Sequence, residues 1–313
     1  MRVLVTGAKG LVGSHVAKAM RLVHGPGIEL VLTSKAGTAS DVTLDVTNRN
    51  QVDRIIRRHR PTHVLHLAGI AAPSIAASDP EIAWIVNLQG TLNVAHAILA
   101  IAPDCCLVNA GSGLVYGESA KTGQALDENC VLAPMDAYGA TKAAADIALG
   151  ALTHRGLKCI RMRPFNHVGP EQSEDFVAPA FAAQIARIEA GLVDPTLNVG
   201  DLNAERDFLD VRDVASAYAL AVLHSDIIPP GTILNVASGK ARRISEVLDI
   251  LLSISSTEIQ VAQDPARLRP SDVPRLVGNA QKAQNLLGWS PQYEFEQTLA
   301  DLLADCRERV KKH

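Results

Sequence analysis

Aromatic residues are scarce in this chain, at 4% of 313 residues, while 47% are hydrophobic and 20% charged. That balance is ordinary for a soluble globular protein with a sizeable core, and it excludes a mostly disordered chain. Charge of one sign is also missing: 30 basic against 33 acidic residues leave −3. Nothing predicts the broad basic face that nucleic acid or an anionic membrane surface would need. No apolar run approaches the roughly 20 residues that span a bilayer, so no membrane partner is expected. The opening Met1-Arg2-Val3-Leu4-Val5-Thr6-Gly7 breaks after three apolar residues and does not read as a signal peptide. Cysteines number five (Cys105, Cys106, Cys130, Cys159, Cys306), odd and scattered. They exclude a disulfide framework and read as reduced, mostly buried thiols of a cytosolic protein. The ten histidines show no metal-ligand spacing, so no metal is expected. There is no internal repeat and no low-complexity tract.

What is present is alternation. At about 150 residues per domain, the length suits two domains or one large α/β unit with a lobe. Short apolar runs at Arg2–Thr6, Ile28–Leu32, near Leu44–Val46, His63–Leu67, Cys105–Asn109 and Lys158–Arg163 read as strands. Helical patterns separate them at Leu11–His24, Asn48–His59, Glu81–Ile101 and Asp136–His154. Nearly all-apolar strands are those of a parallel sheet covered on both faces. The expected fold class is therefore α/β, a Rossmann-like doubly wound parallel sheet. After Pro164 the pattern loosens. Asp207–Asp210 and Ile233–Val236 read as strands that return to the sheet, with helix Val211–His224 between them. A helix near Phe176–Ala190 and a mixed tail from Arg243 remain. The expected division is a dinucleotide domain over 1–165 plus about 207–236, and a smaller discontinuous α/β substrate lobe over 166–206 and 237–313.

Gly7, Gly10 and Gly13 sit between the first strand and the first helix. The first permits a tight turn, the second lets backbone approach a pyrophosphate at the helix N-terminus, and the third lets helix and strand pack closely. A domain for NAD usually carries an acid after the second strand, for the ribose 2′-hydroxyl. Here Thr33-Ser34-Lys35 stands in that place, and Ser34 and Lys35 suit a 2′-phosphate. NADP is therefore expected ahead of NAD.

Tyr138 and Lys142 stand four residues apart on one helix face. A nearby ammonium favours the phenolate, so Lys142 is expected to lower the Tyr138 pKa toward the range useful for acid–base work. Lys142 also reaches a ribose hydroxyl. Ser112 ends the fifth strand, where the ligand crevice of such a sheet lies, and can donate to a substrate carbonyl.

These residues carry a resemblance. Thr-Gly-x-x-Gly-x-x-Gly at Thr6–Gly13, His66-Leu67-Ala68-Gly69, Asn87, Val115-Tyr116-Gly117 and Tyr138-x-x-x-Lys142 resemble the extended short-chain dehydrogenase/reductase family. Arg163–Pro170, Arg206–Asp213 and Arg269-Pro270-Ser271-Asp272 resemble its GDP-mannose 4,6-dehydratase and GDP-4-keto-6-deoxymannose reductase group. The resemblance implies Ser112, Tyr138 and Lys142 as catalytic triad. It implies Gly7, Gly10, Leu11 and Val12 at the pyrophosphate, and Asp45 and Val46 at the adenine. Ala68, Gly69 and Asn87 would lie along the cofactor, with Pro164 near the nicotinamide. Asn166, Arg206, Arg269 and Asp272 would hold a nucleotide sugar, although either arginine is also explained by a structural ion pair with Asp207 or Asp272. One departure bears on the reaction. Dehydratases of the group carry an acid two residues after the catalytic Ser or Thr, and here that residue is Leu114. Dehydration is therefore not expected. The expected activity is NAD(P)H-dependent reduction of the C4 keto group of a nucleotide-linked, GDP-linked first, 4-keto-6-deoxy sugar. An epimerase with tightly bound NAD is the alternative, and a non-catalytic sensor of NADP or a nucleotide sugar is more remote. The resemblance also implies a homodimer built on Glu81–Ile101 and Asp136–His154.

Overall fold

The computed structural model describes residues 1–37, 41–267 and 273–312. Seven parallel strands form the main sheet in the order β10-β6-β5-β4-β1-β2-β3. They are β1 (Arg2–Thr6), β2 (Glu29–Ser34), β3 (Val42–Thr43), β4 (His63–His66), β5 (Cys106–Ala110), β6 (Cys159–Pro164) and β10 (Ile233–Val236). Strand order reverses between β1 and β4, so a crevice opens beyond their carboxyl ends. Four loops carrying predicted site residues leave the sheet at that edge: Gly7 after β1, Ala68 and Gly69 after β4, Ser112 after β5, and Asn166 after β6.

Helices cover both faces. Val16 and Met20 of Leu11–His24 lie in one apolar cluster with Tyr218 and Val222 of Val211–Leu223. On the other face, Ile55 and Ile56 of Arg49–His59 meet Val94 and Ile98 of Gly90–Ile101 and Leu149 of Ala137–Thr153. The stretch from Pro80 to Ile101 is long and apolar enough, by length and composition, to cross a membrane, but half of its 18-residue apolar window is buried inside the fold. It is also not uniformly α-helical: Ile85–Gln89 is a π turn with Asn87 at its centre. Such wide turns often mark functional sites.

The smaller lobe has its own apolar cluster. Phe181 and Ile185 of Val177–Glu189, Leu248 of Ile244–Ile254, and Leu299 and Leu303 of Phe295–Lys311 lie in it. Phe208 and Phe295 stack there at 5.5 Å between ring centroids. Burying such a ring is worth about 1.5–3 kcal/mol. The lobe's sheet is built on β9 (Glu205–Asp210), which pairs with β7 (Asn166–Val168), β11 (Ala241–Arg243) and β13 (Arg275–Leu276). β8 (Thr196–Val199) pairs separately with β12 (Gln260–Gln263). Here the sequence reading needs correction. Ile233–Val236 does return to the main sheet, but Asp207–Asp210 does not. The physical reason lies in the neighbours of β9. Its Phe208 side chain belongs to the lobe's stacked pair, and its backbone is paired on both sides by lobe strands.

Candidate active site

The turn after β1 is shaped to hold an anion. Gly7 has φ +71°, and a Cβ there would lie 2.7 Å from the backbone N of Ala68. A Cβ on Gly13 would lie 2.4 Å from the Gly7 carbonyl oxygen. Gly10 precedes helix Leu11–His24 without a side-chain cap, and the first turn contains no acid. The first backbone N–H groups of a helix have no intrahelical partners, so those of Leu11, Val12 and Gly13 face the crevice with the positive end of the dipole. This is the donor set a pyrophosphate needs, and the residues fit a dinucleotide.

At the adenosine end, Thr33 is locked by donating to the Val5 carbonyl at 3.1 Å. Ser34 is buried, and its hydroxyl oxygen has no hydrogen-bond partner among the described residues. Lys35 is 78% exposed and lies 3.3 Å from the Asp45 carboxylate. Burial works to raise the Asp45 pKa, but hydrogen bonds from Thr47 and Lys35 outweigh it and hold the carboxyl low. Val46 is buried against Gly90, whose added Cβ would meet it at 2.8 Å. A buried hydroxyl without a partner among the described residues, next to an exposed lysine, is a fit for the additional phosphate of NADP.

The predicted triad converges from two elements. Asp136 caps helix Ala137–Thr153 by accepting from the backbone N of Gly139 at 2.6 Å, which puts Tyr138 in the first turn. Ser112 is extended (φ −163°) and caps the 3-10 segment Gly113–Thr122, its Oγ accepting from Leu114 N at 3.1 Å. Its hydroxyl also hydrogen-bonds the Tyr138 phenol. Gly113 is bare because a Cβ there would sit 3.0 Å from the ring of Phe165.

Lys142 Nζ donates to the Ala110 carbonyl at 3.0 Å. A Cβ on Gly69 would lie 2.9 Å from Asn87 Oδ1 and 3.2 Å from Lys142 Nζ, so these three predicted residues do meet. The expected pKa effect is not what this site shows. Burial pushes the Tyr138 phenol up to about 12; a hydrogen bond with Ser112 opposes this, and the Asp136 charge adds to it. Burial likewise pulls Lys142 down to about 8. Loss of hydration leads at both groups, because low-dielectric surroundings disfavour each charged form.

Asn87 and His66 tie the site together. Asn87 Oδ1 accepts from Ile70 N at 2.8 Å, and its Nδ2 donates to Ile70 O and to Thr141 Oγ1. Thr141 Oγ1 donates in turn to the Tyr138 carbonyl at 2.8 Å. Thr91 Oγ1 donates to the Asn87 carbonyl at 2.7 Å, so it accepts from His66 Nε2, 3.1 Å away. Nδ1 of the same ring then accepts from Thr6 Oγ1 at 2.7 Å, and Thr6 Oγ1 accepts from Ala68 N. Burial, aided by the Lys142 charge, pushes the His66 pKa down to about 3.

The substrate residues are placed less fully. Asn166 begins β7 and is half-buried. Arg206 lies on β9, donating to the carbonyls of Glu205 at 2.7 Å and Pro274 at 3.5 Å. The oxygens of Asp207 accept instead from the backbone N of Ser238, Gly239 and Gly278 and from the Ser238 hydroxyl. Arg269 and Asp272 lie outside the described residues. Pro164 ends β6, opposite Val236. His167 contacts backbone, 3.1 Å from the Phe165 carbonyl.

The sequence reading missed Asp146 and the hydroxyls of Thr91 and Thr141. Asp146 left a signal: it is the lone acid in the Ala-rich Ala137–Thr153 helix, one turn after Lys142.

Comparison with known proteins shows what the chain is similar to as a whole. A family model described as GDP-mannose 4,6 dehydratase matches residues 4–302. A GDP-6-deoxy-D-mannose reductase of Pseudomonas aeruginosa is 33% identical over 312 residues, covering 99% of each chain. The structure of RMD from Pseudomonas aeruginosa complexed with NADPH superposes with TM-score 0.87 at 31% identity, over 99% of both chains. A UDP-glucose 4-epimerase from Thermus thermophilus in complex with NAD gives 0.83 at 30% identity, over 98% of this chain and 99% of that one.

Proposed function

The chain belongs to the GDP-mannose 4,6 dehydratase family, and on that premise we propose that it is an NAD(P)-dependent oxidoreductase reducing the C4 keto group of a nucleotide-linked 4-keto-6-deoxy sugar. The substrate we place first is GDP-4-keto-6-deoxymannose, in keeping with the full-length likeness to a GDP-6-deoxy-D-mannose reductase. The observation that carries the reading is the acid–base set. Tyr138 is held as a proton-bearing phenol beside Ser112, and two residues beyond Ser112 stands Leu114, which cannot move a proton.

Bound NADPH supplies the hydride. Ser112 donates its hydroxyl hydrogen to the C4 carbonyl oxygen and fixes its direction. Tyr138 gives its proton to the alkoxide forming on that oxygen; a phenol carries that proton at neutral pH and is a stronger acid than the alcohol it forms. Lys142, beside Asn87 and Gly69, holds the ribose, and the Leu11–Gly13 amides hold the pyrophosphate. Asn166, Arg206, Arg269 and Asp272 are proposed for the nucleotide sugar, the guanidinium fork suiting a diphosphate.

The epimerase reading is favoured by the likeness to an NAD-bound 4-epimerase. Absorbance of NADPH separates the two. Stoichiometric loss of NADPH with the 4-keto sugar, abolished by Tyr138→Phe, supports the reductase. No net loss, with NAD released on denaturation, overturns it for the epimerase.

We further propose a cytoplasmic homodimer. In support of the location, all five cysteines are free thiols. In support of the assembly, Trp84 (40%), Ile85 (39%) and Ile147 (60%) are exposed on the outward faces of the helices at Pro80–Ile101 and Ala137–Thr153. A second copy laid on those faces would cover them.

A further inference from the structure

Ser112 and the Tyr138–Lys142 pair come from different elements, and a single buried guanidinium joins those elements. We propose that Arg163, with Asp146 and Tyr116, is a positioning clamp that sets the register of Ser112 against Tyr138 and Lys142. The inference rests on the reductase reading only for its kinetic consequence.

Asp146 lies one turn beyond Lys142 and two beyond Tyr138, so it stands on the same side of the catalytic helix. It is 1% exposed, and Arg163 is 2% exposed. Arg163 grips it with a two-point fork: Nε to Oδ2 and Nη2 to Oδ1, each at 3.0 Å. The remaining nitrogen, Nη1, donates to the Tyr116 hydroxyl at 2.9 Å. Tyr116 is four residues past Ser112, in the segment that Ser112 caps. The guanidinium also lies over the Tyr116 ring, 5.1 Å from its centroid. One planar group thus spans the helix bearing Tyr138 and the segment bearing Ser112, from a strand residue next to Pro164.

The outer ends of the clamp are fixed as well. Tyr116 Oη donates to Asn235 Oδ1 at 2.7 Å, and Asn235 Nδ2 donates to the Leu126 and Asn279 carbonyls. Arg161 Nη1 donates to Asp146 Oδ1 at 2.9 Å, while its Nε and Nη2 reach the Gly231 carbonyl. A buried ion pair often adds little stability over apolar residues of equal volume, because both charges lose their hydration. What it does supply is direction: its geometry is satisfied in one arrangement of the three elements and in no shifted one. Placement errors of about 1 Å at a reacting centre can cost 100-fold in rate.

Arg163→Lys keeps the charge and loses the fork. Tyr116→Phe keeps the ring and the Arg163–Asp146 pair and removes the hydroxyl through which Arg163 and Asn235 hold the Ser112 segment. Two readouts are needed, at a temperature where each variant is folded by circular dichroism. With NADPH and GDP-4-keto-6-deoxymannose, kcat is expected to fall at least 10-fold in both variants, with KM for NADPH within about twofold. A purely stabilising pair would lower the melting midpoint and leave kcat alone. The second readout needs no turnover. The chain has four tyrosines, so 13Cζ-tyrosine labelling gives four resonances, with the Tyr138 line assigned by Tyr138→Phe. The Tyr138 line is expected to shift or broaden in Arg163→Lys, although Arg163 does not touch Tyr138. An unmoved Tyr138 line in both folded variants overturns the clamp, as does unchanged kcat. A wild-type protein that does not turn over the sugar overturns only the reductase reading, and the tyrosine spectrum then decides the clamp.

Discussion

Replacing His66 by Gln should flatten the acid side of the protein's stability profile. The ring is buried with both nitrogens committed, Nε2 donating to Thr91 and Nδ1 accepting from Thr6. Its pKa in the folded protein is about 3, against 6.5 for a free histidine. The unfolded chain therefore takes up a proton at this position as pH falls through about 6.5, while the folded chain does not until near pH 3. The stability from a neutral His66 is fully present above 6.5 and drains away as the solution is acidified. Each unit well below 6.5 costs about 1.4 kcal/mol, or about 2 kcal/mol between pH 7 and pH 5. Glutamine can donate to Thr91 and accept from Thr6, but it does not titrate. Urea unfolding of wild type and His66→Gln at pH 7, 6 and 5 isolates the effect, since every other group is common to both. The wild type should lose about 2 kcal/mol more than the variant over that range. Parallel stability lines for the two proteins would refute the claim that the fold holds this ring neutral.

Further outcomes follow from the same geometry. Tyr138→Phe should lower kcat by about 100- to 10,000-fold, the usual worth of a placed proton donor, while NADPH still binds by fluorescence titration. Gly13→Ala sets a Cβ 2.4 Å from the Gly7 carbonyl oxygen; NADPH affinity should fall at least about 10-fold, measured by calorimetry, because the turn must open. Lys35→Ala removes an exposed ammonium near Ser34 and should weaken NADPH more than NADH, read as the ratio of the two dissociation constants. Ile147→Lys puts a charge on the outward face of Ala137–Thr153 and should bring the mass seen by light scattering down to that of one chain; a monomeric wild type would sink the dimer itself.

Much of this fold is written locally. Leu11–His24 has the bounds its apolar spacing predicts, and Asn48 caps Arg49–His59 by accepting from Gln51 N. The glycine turn was legible because each glycine answers a steric demand that no other residue meets. The π turn at Ile85–Gln89 was not, since helical periodicity continues through it and only the hydrogen-bond shift reveals it. The short strands β7, β11 and β13 have two or three residues each and owe their form to pairing with β9. Such pairing is a tertiary fact that no local pattern records. The direction of the Tyr138 pKa shift differs from expectation because the i, i+4 spacing shows a neighbour and not how dry the site is. Asp146 and Arg163 lie 17 residues apart along the chain and announce themselves only as charges in apolar stretches.

The late return of β10 to the main sheet also bears on how the molecule keeps to itself. β6 pairs with β5 on one side and with β10 on the other, and β10 arrives only after the chain has traversed β7, β8 and β9. Until then β6 is an open edge of a parallel, apolar sheet, with Ile160 and Met162 along it. Open edges of this kind recruit strands from other molecules. A fragment ending at Phe165 would leave that edge bare and strip helix Val211–Leu223 from the face carrying Val16 and Met20, and it should aggregate. Ile233–Val236 thus covers the β6 edge with a short outer strand, delivered by the lobe the sheet supports.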